Sequence, residues 1–300
     1  GAGGRLGGAV AQRLAYLAPN VRLRLATSRT ERQAELARAF PEQQVVVADF
    51  GDPASMSACF ADVEAAFLVT PNFLDEASAM ARVGAAVRAN RGFRQLFRIV
   101  GDLPGMTPAR APASLRDRPG PAVQHHLARA ALEAAGVPTV YLNIAALMDN
   151  LLANAPSVAA HAVLAQPPRT HGWIDTGDVG EAVARLILSG DPRHVGQTYD
   201  LDNNCDVIAW STVAEMLSSV LMRPIAYDPS PEGFVTHVGP LYRRKTGRED
   251  AADYFLQYFT WEAHCDPAWR RTDLVERILG RRPKTLRAWI EQNAAAFAGS

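Results

Sequence analysis

Three glycines spaced by threes, Gly1, Gly4 and Gly7, stand directly before an amphipathic helix pattern and form the stretch of this 300-residue chain best suited to chemistry. Leu6, Val10, Leu14 and Leu17 recur at steps of four, four and three, so they share one helical face. A glycine turn that opens a helix is an anion site. The first-turn N–H groups and the positive end of the dipole face the ligand, and without Cβ atoms a phosphate can approach the backbone. The spacing is G-x-x-G-x-x-G; the G-x-G-x-x-G dinucleotide fingerprint would need a small residue where Leu6 stands. The tandem His125-His126 is a second chemical feature, because an imidazole can donate a proton at neutral pH. A helix-surface histidine pair is the competing reading. Cys59, Cys205 and Cys265 are far apart and lack metal-ligand spacing, so no metal site is expected and they read as inert thiols.

The elements that must position these residues alternate. Val21 to Ala26, Gln44 to Ala48, Ala65 to Thr70, Gln95 to Val100 and Pro138 to Asn143 read as strands, and Gln197 to Leu201 as a late one. Helical periods lie between them at 31–40, after Asp52-Pro53, at 74–90 and at 122–135. Strand and helix in alternation imply right-handed βαβ crossovers, hence an α/β fold with a doubly wound parallel sheet. In that topology the strand feeding the glycine turn is central, yet the sequence starts on the turn itself. The expectation is therefore an upstream segment carrying that strand, or something else filling the gap. A proline-rich loop follows the fifth strand, over 101–121. Residues 1–150 read as a nucleotide-binding domain and 151–300 as a smaller substrate-binding subdomain interleaved with late elements of the first. Asp178 reads as the N-cap of a helix over 178–188, and Tyr242 to Arg248 as a solvated basic loop.

Thirty-one basic residues balance thirty-one acidic ones, so no global field points to nucleic acid or a membrane surface. No apolar run approaches the roughly 18 residues that span a bilayer, and the cysteine usage points to a reducing cytoplasm. Aromatic residues crowd one helix: Tyr254 and Tyr258 share a face, as do Phe255 and Phe259. One face is expected in the core, and the other is expected to roof a pocket for a planar or polycyclic molecule.

GAGGRLGG at the start, ADFGDPASM at Ala48 to Met56, AAFLVTP at Ala65 to Pro71, LMDNLL at Leu147 to Leu152, WIDTGDVGEAVA at Trp173 to Ala184 and GRRPKTLRAWIEQN at Gly280 to Asn293 together resemble the NmrA-like family. These are atypical short-chain dehydrogenase/reductases with a Rossmann fold. The resemblance implies an NADP(H) site in which Gly1, Gly4, Arg5 and Leu6 line the pyrophosphate and Thr27, Ser28 and Arg29 surround the adenosine ribose. It places Asp49 and Phe50 at the adenine, and Thr70 and Pro71 beside the nicotinamide ribose. Hydroxyls and Arg29, with Arg32 nearby, suit the 2′-phosphate of NADP better than the 2′-hydroxyl of NAD. Family members reduce quinones, imines or activated double bonds, or act as redox-sensing regulators without turnover. Reuse of the fold by an isomerase, cyclase or dehydratase is a further alternative. A homodimer is left open.

The chain departs from the short-chain reductase pattern. Val100-Gly101-Asp102 occupies the serine position, and the helix after the loop carries Gln124-His125-His126 with no Tyr-x-x-x-Lys. His125 falls where relatives carry Lys or His, and Leu142-Asn143-Ile144 replaces their Leu-Arg-Pro. The substitute catalytic set expected is His125 as proton donor, Asp102 orienting it, and Asn143 hydrogen-bonding the substrate. His126, Met148, Trp173, Tyr254 and Tyr258 are expected to contact a small aromatic or polycyclic substrate.

Overall fold

The computed structural model describes residues 1–265, 269 and 271–298. Strands β1 (Arg24–Thr27), β2 (Gln44–Val47), β3 (Ala65–Leu68), β4 (Gln95–Val100) and β5 (Thr139–Ile144) alternate with helices α1 (Arg5–Leu17), α2 (Gln33–Ala39), α3 (Pro53–Phe60) and α4 (Glu76–Ala89). Short α5 (Ala113–Arg116) lies in the proline-rich loop, and α6 (Gln124–Ala134) precedes β5. Local signals set the boundaries. Asp52 and Asp75 cap α3 and α4 by accepting from the backbone N–H of Ala54 and Ser78, and Pro53 occupies the first turn of α3.

The chain continues through β6 (Ala146–Leu147), α7 (Ala155–His161), β7 (Val163–Ala165), β8 (Thr170–Ile174) and α8 (Thr176–Ser189). Then come β9 (Thr198–Leu201), β10 (Val207–Ala209), α9 (Trp210–Leu221) and β11 (Ala226–Asp228). Helices α10 (Pro231–His237), α11 (Gly239–Thr246), α12 (Ala251–Cys265), α13 (Leu274–Leu279) and α14 (Leu286–Gln292) close it.

Strands β3, β4, β5 and β9 form one parallel sheet in that order, with Leu96 opposite Ala66 on one side and Thr139 on the other. Strand β9 returns from the second half of the chain to pair with β5. Strands β1 and β2 pair in parallel as a separate ribbon, and no described strand is hydrogen-bonded between β1 and β3. The glycine turn sits at the carboxyl ends of those two strands: Ala2 N–H donates to Ala26 O at 2.9 Å, and Gly1 abuts Val69. Core packing flanks the sheet. Leu6, Val10 and Leu14 of α1 meet Val179, Ala182 and Val183 of α8 on one side, and Met80, Val83 and Val87 of α4 meet Ala128 and Leu132 of α6 on the other. The α1–α8 contact is close because Gly180 has no side chain; a Cβ there would stand 2.7 Å from Ala9 Cβ.

Three sequence expectations change. Asp175, not Asp178, caps α8, accepting from Gly177 N and Asp178 N; Asp178 lies within the helix and is buried against Arg281 and the Lys284 N–H. The basic run over 242–248 is mostly helical, in α11. Both faces of the aromatic helix α12 are packed: Tyr254, Tyr258 and Trp261 against Met106, Leu115 and Val123, and Phe255 and Phe259 against Phe234 and Val238. The proline-rich loop folds back onto the Tyr254–Tyr258 face, so neither aromatic face lies open as the roof expected of one of them.

Candidate active site at the carboxyl ends of the strands

Three glycines shape the phosphate cradle. Gly4 is the N-cap of α1 and no side chain caps the helix, while its own N–H is turned back to Gly1 O at 2.9 Å. A Cβ on Gly7 would lie 2.3 Å from Gly1 O, so only glycine permits this turn at that position. Leu6 is buried in the core, and Gly1, Gly4 and Arg5 are exposed. Arg5 donates to the Asp149 carbonyl at 3.0 Å, which ties the first turn of α1 to the segment after β6. An exposed glycine turn at the positive end of a 13-residue helix fits a pyrophosphate.

At the end of β1, Thr27 is buried and its hydroxyl oxygen accepts from Arg29 N–H at 3.2 Å, which shapes the turn that exposes Ser28 and Arg29. Arg32 reaches back to the cradle, donating to Gly3 O at 3.1 Å. Exposed Arg32 therefore stands beside the turn and exposed Arg29 follows β1, with no acidic residue at the end of that strand. Asp49 is used locally, accepting from Gly51 N–H at 2.8 Å, and Phe50 packs against the cluster around Met56. Pro71 is exposed, and Thr70 is held from two sides.

That hold on Thr70 was not anticipated. Arg98, in the middle of β4 and 0% exposed, donates to the Thr70 hydroxyl at 2.7 Å and to Glu76 at 3.1 Å, while the Thr70 hydroxyl donates to the same Glu76 carboxylate. The only sequence signal was one arginine inside the otherwise apolar run Leu96-Phe97-Arg98-Ile99-Val100. Burial pushes the Glu76 carboxyl up, opposed by Arg98, and Arg98 is pulled down by burial.

The substitute catalytic set does not assemble as expected. His125 packs on Gly101, its Nδ1 is buried without a partner, and burial, then the charges of Arg98 and His126, drive its pKa down to about 3. Burial of this kind disfavours the imidazolium, so the surroundings of His125 do not favour the proton-donor role expected of it. Asp102 is engaged elsewhere: its carboxylate accepts from Arg129 at 2.8 Å. Asn143 accepts from Asp102 N–H at 2.9 Å and donates to Asp200 at 2.7 Å and Asp102 O at 3.2 Å, so its amide ties the loop after β4 to β9. His126 meets Met106 O at 3.1 Å.

The expected substrate contacts also divide. Met148, Trp173 and Tyr254 are each 0% exposed. Met148 and Trp173 belong to the apolar core of the second half. The Tyr254 hydroxyl accepts from Ala122 N–H at 3.2 Å. These three are structural contacts, because packing leaves them no surface for a substrate; Tyr258 is half-buried between Phe259 and Trp261. The open space at the strand ends is instead a cavity of about 370 Å³ that includes Asp102, Asn143, Ala145, Asp200 and Trp269 in its walls. No group of residues suited to hold a metal occurs among the described residues, and no described helix is long and apolar enough to cross a membrane.

The sequence profile of the NmrA-like family matches residues 1–246. The chain belongs to the NmrA-like family. No curated protein matches its sequence. Among solved structures, an NADPH-dependent quinone oxidoreductase from Escherichia coli complexed with NADPH shares 19% identity at a TM-score of 0.77, with 98% of each chain covered. Triphenylmethane reductase from Citrobacter sp., complexed with NADP(H), shares 18% identity at 0.75, covering 97% of each. Nmra, a negative transcriptional regulator, shares 16% at 0.66, covering 97% of this chain and 92% of that one. At these identities the likeness to this NmrA-like chain is one of fold, and it extends over nearly the whole molecule.

Proposed function

We propose that this NmrA-like protein is an NADP(H)-dependent reductase of a small, electron-poor conjugated molecule. The observation that carries the reading is the glycine cradle at the N-terminus of α1, flanked by exposed Arg32, with exposed Arg29 after β1 and no carboxylate at the end of that strand. Gly1, Gly4 and Arg5 would hold the pyrophosphate, with Leu6 buried beneath them. Ser28, Arg29 and Arg32 would take the 2′-phosphate, beside Thr27. Asp49 and Phe50 would border the adenine, and Thr70 and Pro71 the nicotinamide ribose. The bound cofactor would supply hydride. The Glu76–Arg98 pair fixes the Thr70 hydroxyl, and the walls of the strand-end cavity would orient the acceptor. With the imidazolium of His125 disfavoured by burial, water would supply the proton. Acceptors that take hydride without prior protonation, such as quinones, suit this arrangement.

A second reading is an NADP(H)-binding regulator without turnover. The observation favouring it is α12, whose packed aromatic faces occupy space where a substrate roof was expected.

Fluorescence titration of NADPH and NADH tests the shared part. NADPH is expected to bind more tightly than NADH, and Arg29→Ala with Arg32→Ala is expected to remove most of that preference, about tenfold per lost phosphate contact. Equal or absent binding of both nucleotides overturns both readings. Binding with no oxidation by a panel of quinones, imines and enones leaves the regulator.

A further inference from the structure

The second half of the chain holds a cluster that the nucleotide site does not use. Arg169, just before β8, and His171, on it, face Glu262 of α12 at 3.3 Å each, with side chains only 4%, 8% and 3% exposed. Aromatic rings enclose them. The His171 ring lies 5.7 Å from Trp173, 6.0 Å from Trp210 and 5.9 Å from Trp269, and the Arg169 guanidinium stands 3.7 Å over Phe259. Beside them opens a cavity of about 330 Å³ walled by Pro168, Arg169, Trp210, Ser211, Tyr227 and Glu262. It shares no wall residue with the strand-end cavity.

Several buried nitrogens in this cluster lack a hydrogen-bond partner. Arg169 Nε, Trp173 Nε1 and Trp210 Nε1 are buried N–H groups without a hydrogen-bond partner, and His171 Nδ1 is likewise unpartnered. Glu262 is near two of them but not aligned as their acceptor, and nothing in the described protein accepts from the indoles. Buried unpaired donors cost free energy that a ligand carrying acceptors would recover. A cavity of this size sits at the small end of ligand pockets, which run from about 300 to 1,000 Å³. Indole and phenol walls favour a flat ring, and Arg169 supplies the cation.

We propose that this cavity is a second ligand site, for a small planar aromatic carboxylate. The ligand carboxylate would accept from Trp210 and pair with Arg169, and its ring would lie against Trp210 and Tyr227. Glu262 supplies a link to pH. Burial raises its carboxyl to about 7 against the opposing pull of Arg169, so a proton taken up there removes the carboxylate that competes for the Arg169 Nε–H, while the other guanidinium nitrogens stay on Pro167 O and Gln166 Oε1. The other groups facing Glu262 do not titrate near neutrality. His171 is held well below its usual value by burial and by Arg169, and Tyr227, Tyr242 and Tyr258 are raised by burial.

Benzoate, titrated calorimetrically against the whole protein at pH 6 and pH 8, tests the site. Saturable one-to-one binding is expected, tighter at pH 6. Trp210→Phe is expected to weaken it about tenfold by removing one donor. Glu262→Gln is expected to retain binding and lose the pH dependence. Ser211→Trp, at an exposed rim position, is expected to block binding while circular dichroism and the NADPH titration stay unchanged. Absence of saturable binding at both pH values, or binding unaffected by Ser211→Trp and Trp210→Phe, overturns the proposal. Displacement of benzoate by NADPH would assign it to the glycine turn and overturn the proposal equally.

Discussion

Arg129 donates to Asp102 at 2.8 Å while its guanidinium lies 3.7 Å over the ring of Tyr141, so the carboxylate that enters the strand-end cavity is neutralised by α6 rather than by an imidazole. The two side chains are 24% and 22% exposed, which keeps the coupling modest. A double-mutant cycle with Arg129→Leu and Asp102→Asn is expected to give a coupling of about 1 kcal/mol. Arg129→Lys should not restore it, because lysine has neither the planar fork nor the stack on Tyr141. Urea denaturation of the four proteins measures this.

His125 carries a prediction about activity. If it is neutral throughout the working range, turnover with a quinone should show no ionisation near pH 6.5, and His125→Gln should keep the same flat profile between pH 6 and 8. A bell-shaped rate profile that disappears in His125→Gln would restore the proton-donor role.

Acid stability follows from the same burial. His125 at about 3 and His171, well below 6.5, are depressed in the fold, so the unfolded chain binds more protons below pH 6.5. Their contribution is full above that pH and is lost as the pH falls toward their folded values. Relative to wild type, His171→Phe should lose less stability between pH 7 and pH 5. Denaturant midpoints at the two pH values read the difference.

The buried Arg98–Glu76 pair separates two outcomes. Arg98→Ala strands the Glu76 carboxyl and should cost about 3–5 kcal/mol, whereas Arg98→Met combined with Glu76→Leu should be close to neutral. The double variant also frees Thr70, so it should fold normally yet bind NADPH less tightly. Thermal melts and nucleotide fluorescence together distinguish support of the fold from support of the site.

Gly7 and Gly4 should differ although both belong to one turn. A Cβ at Gly7 meets Gly1 O at 2.3 Å, and at Gly4 it meets the same atom at 3.2 Å. Gly7→Ala is expected to destabilise by about 1–3 kcal/mol and to disrupt nucleotide binding, and Gly4→Ala to do much less. Chemical denaturation of both variants checks the order.

The sequence by itself determined the local architecture. The apolar period of α1, the caps at Asp52 and Asp75 and the β-branched run at Val45 to Val47 fix elements through neighbours a few residues away, and β4 spans Gln95–Val100 as read. Alternation then leaves few topologies, because parallel crossovers have one hand. The glycine turn was legible for the same local reason. What each polar side chain does was decided only by the tertiary structure. Arg129 reaches Asp102 across 27 residues, Asp178 meets Arg281 across 103, and the His125 pKa is pushed down by burial beside Gly101 and then by Arg98. Ionisation and exposure depend on which groups the fold brings within a few ångströms and on how much water it removes from them, and hydrophobic period and residue type specify neither.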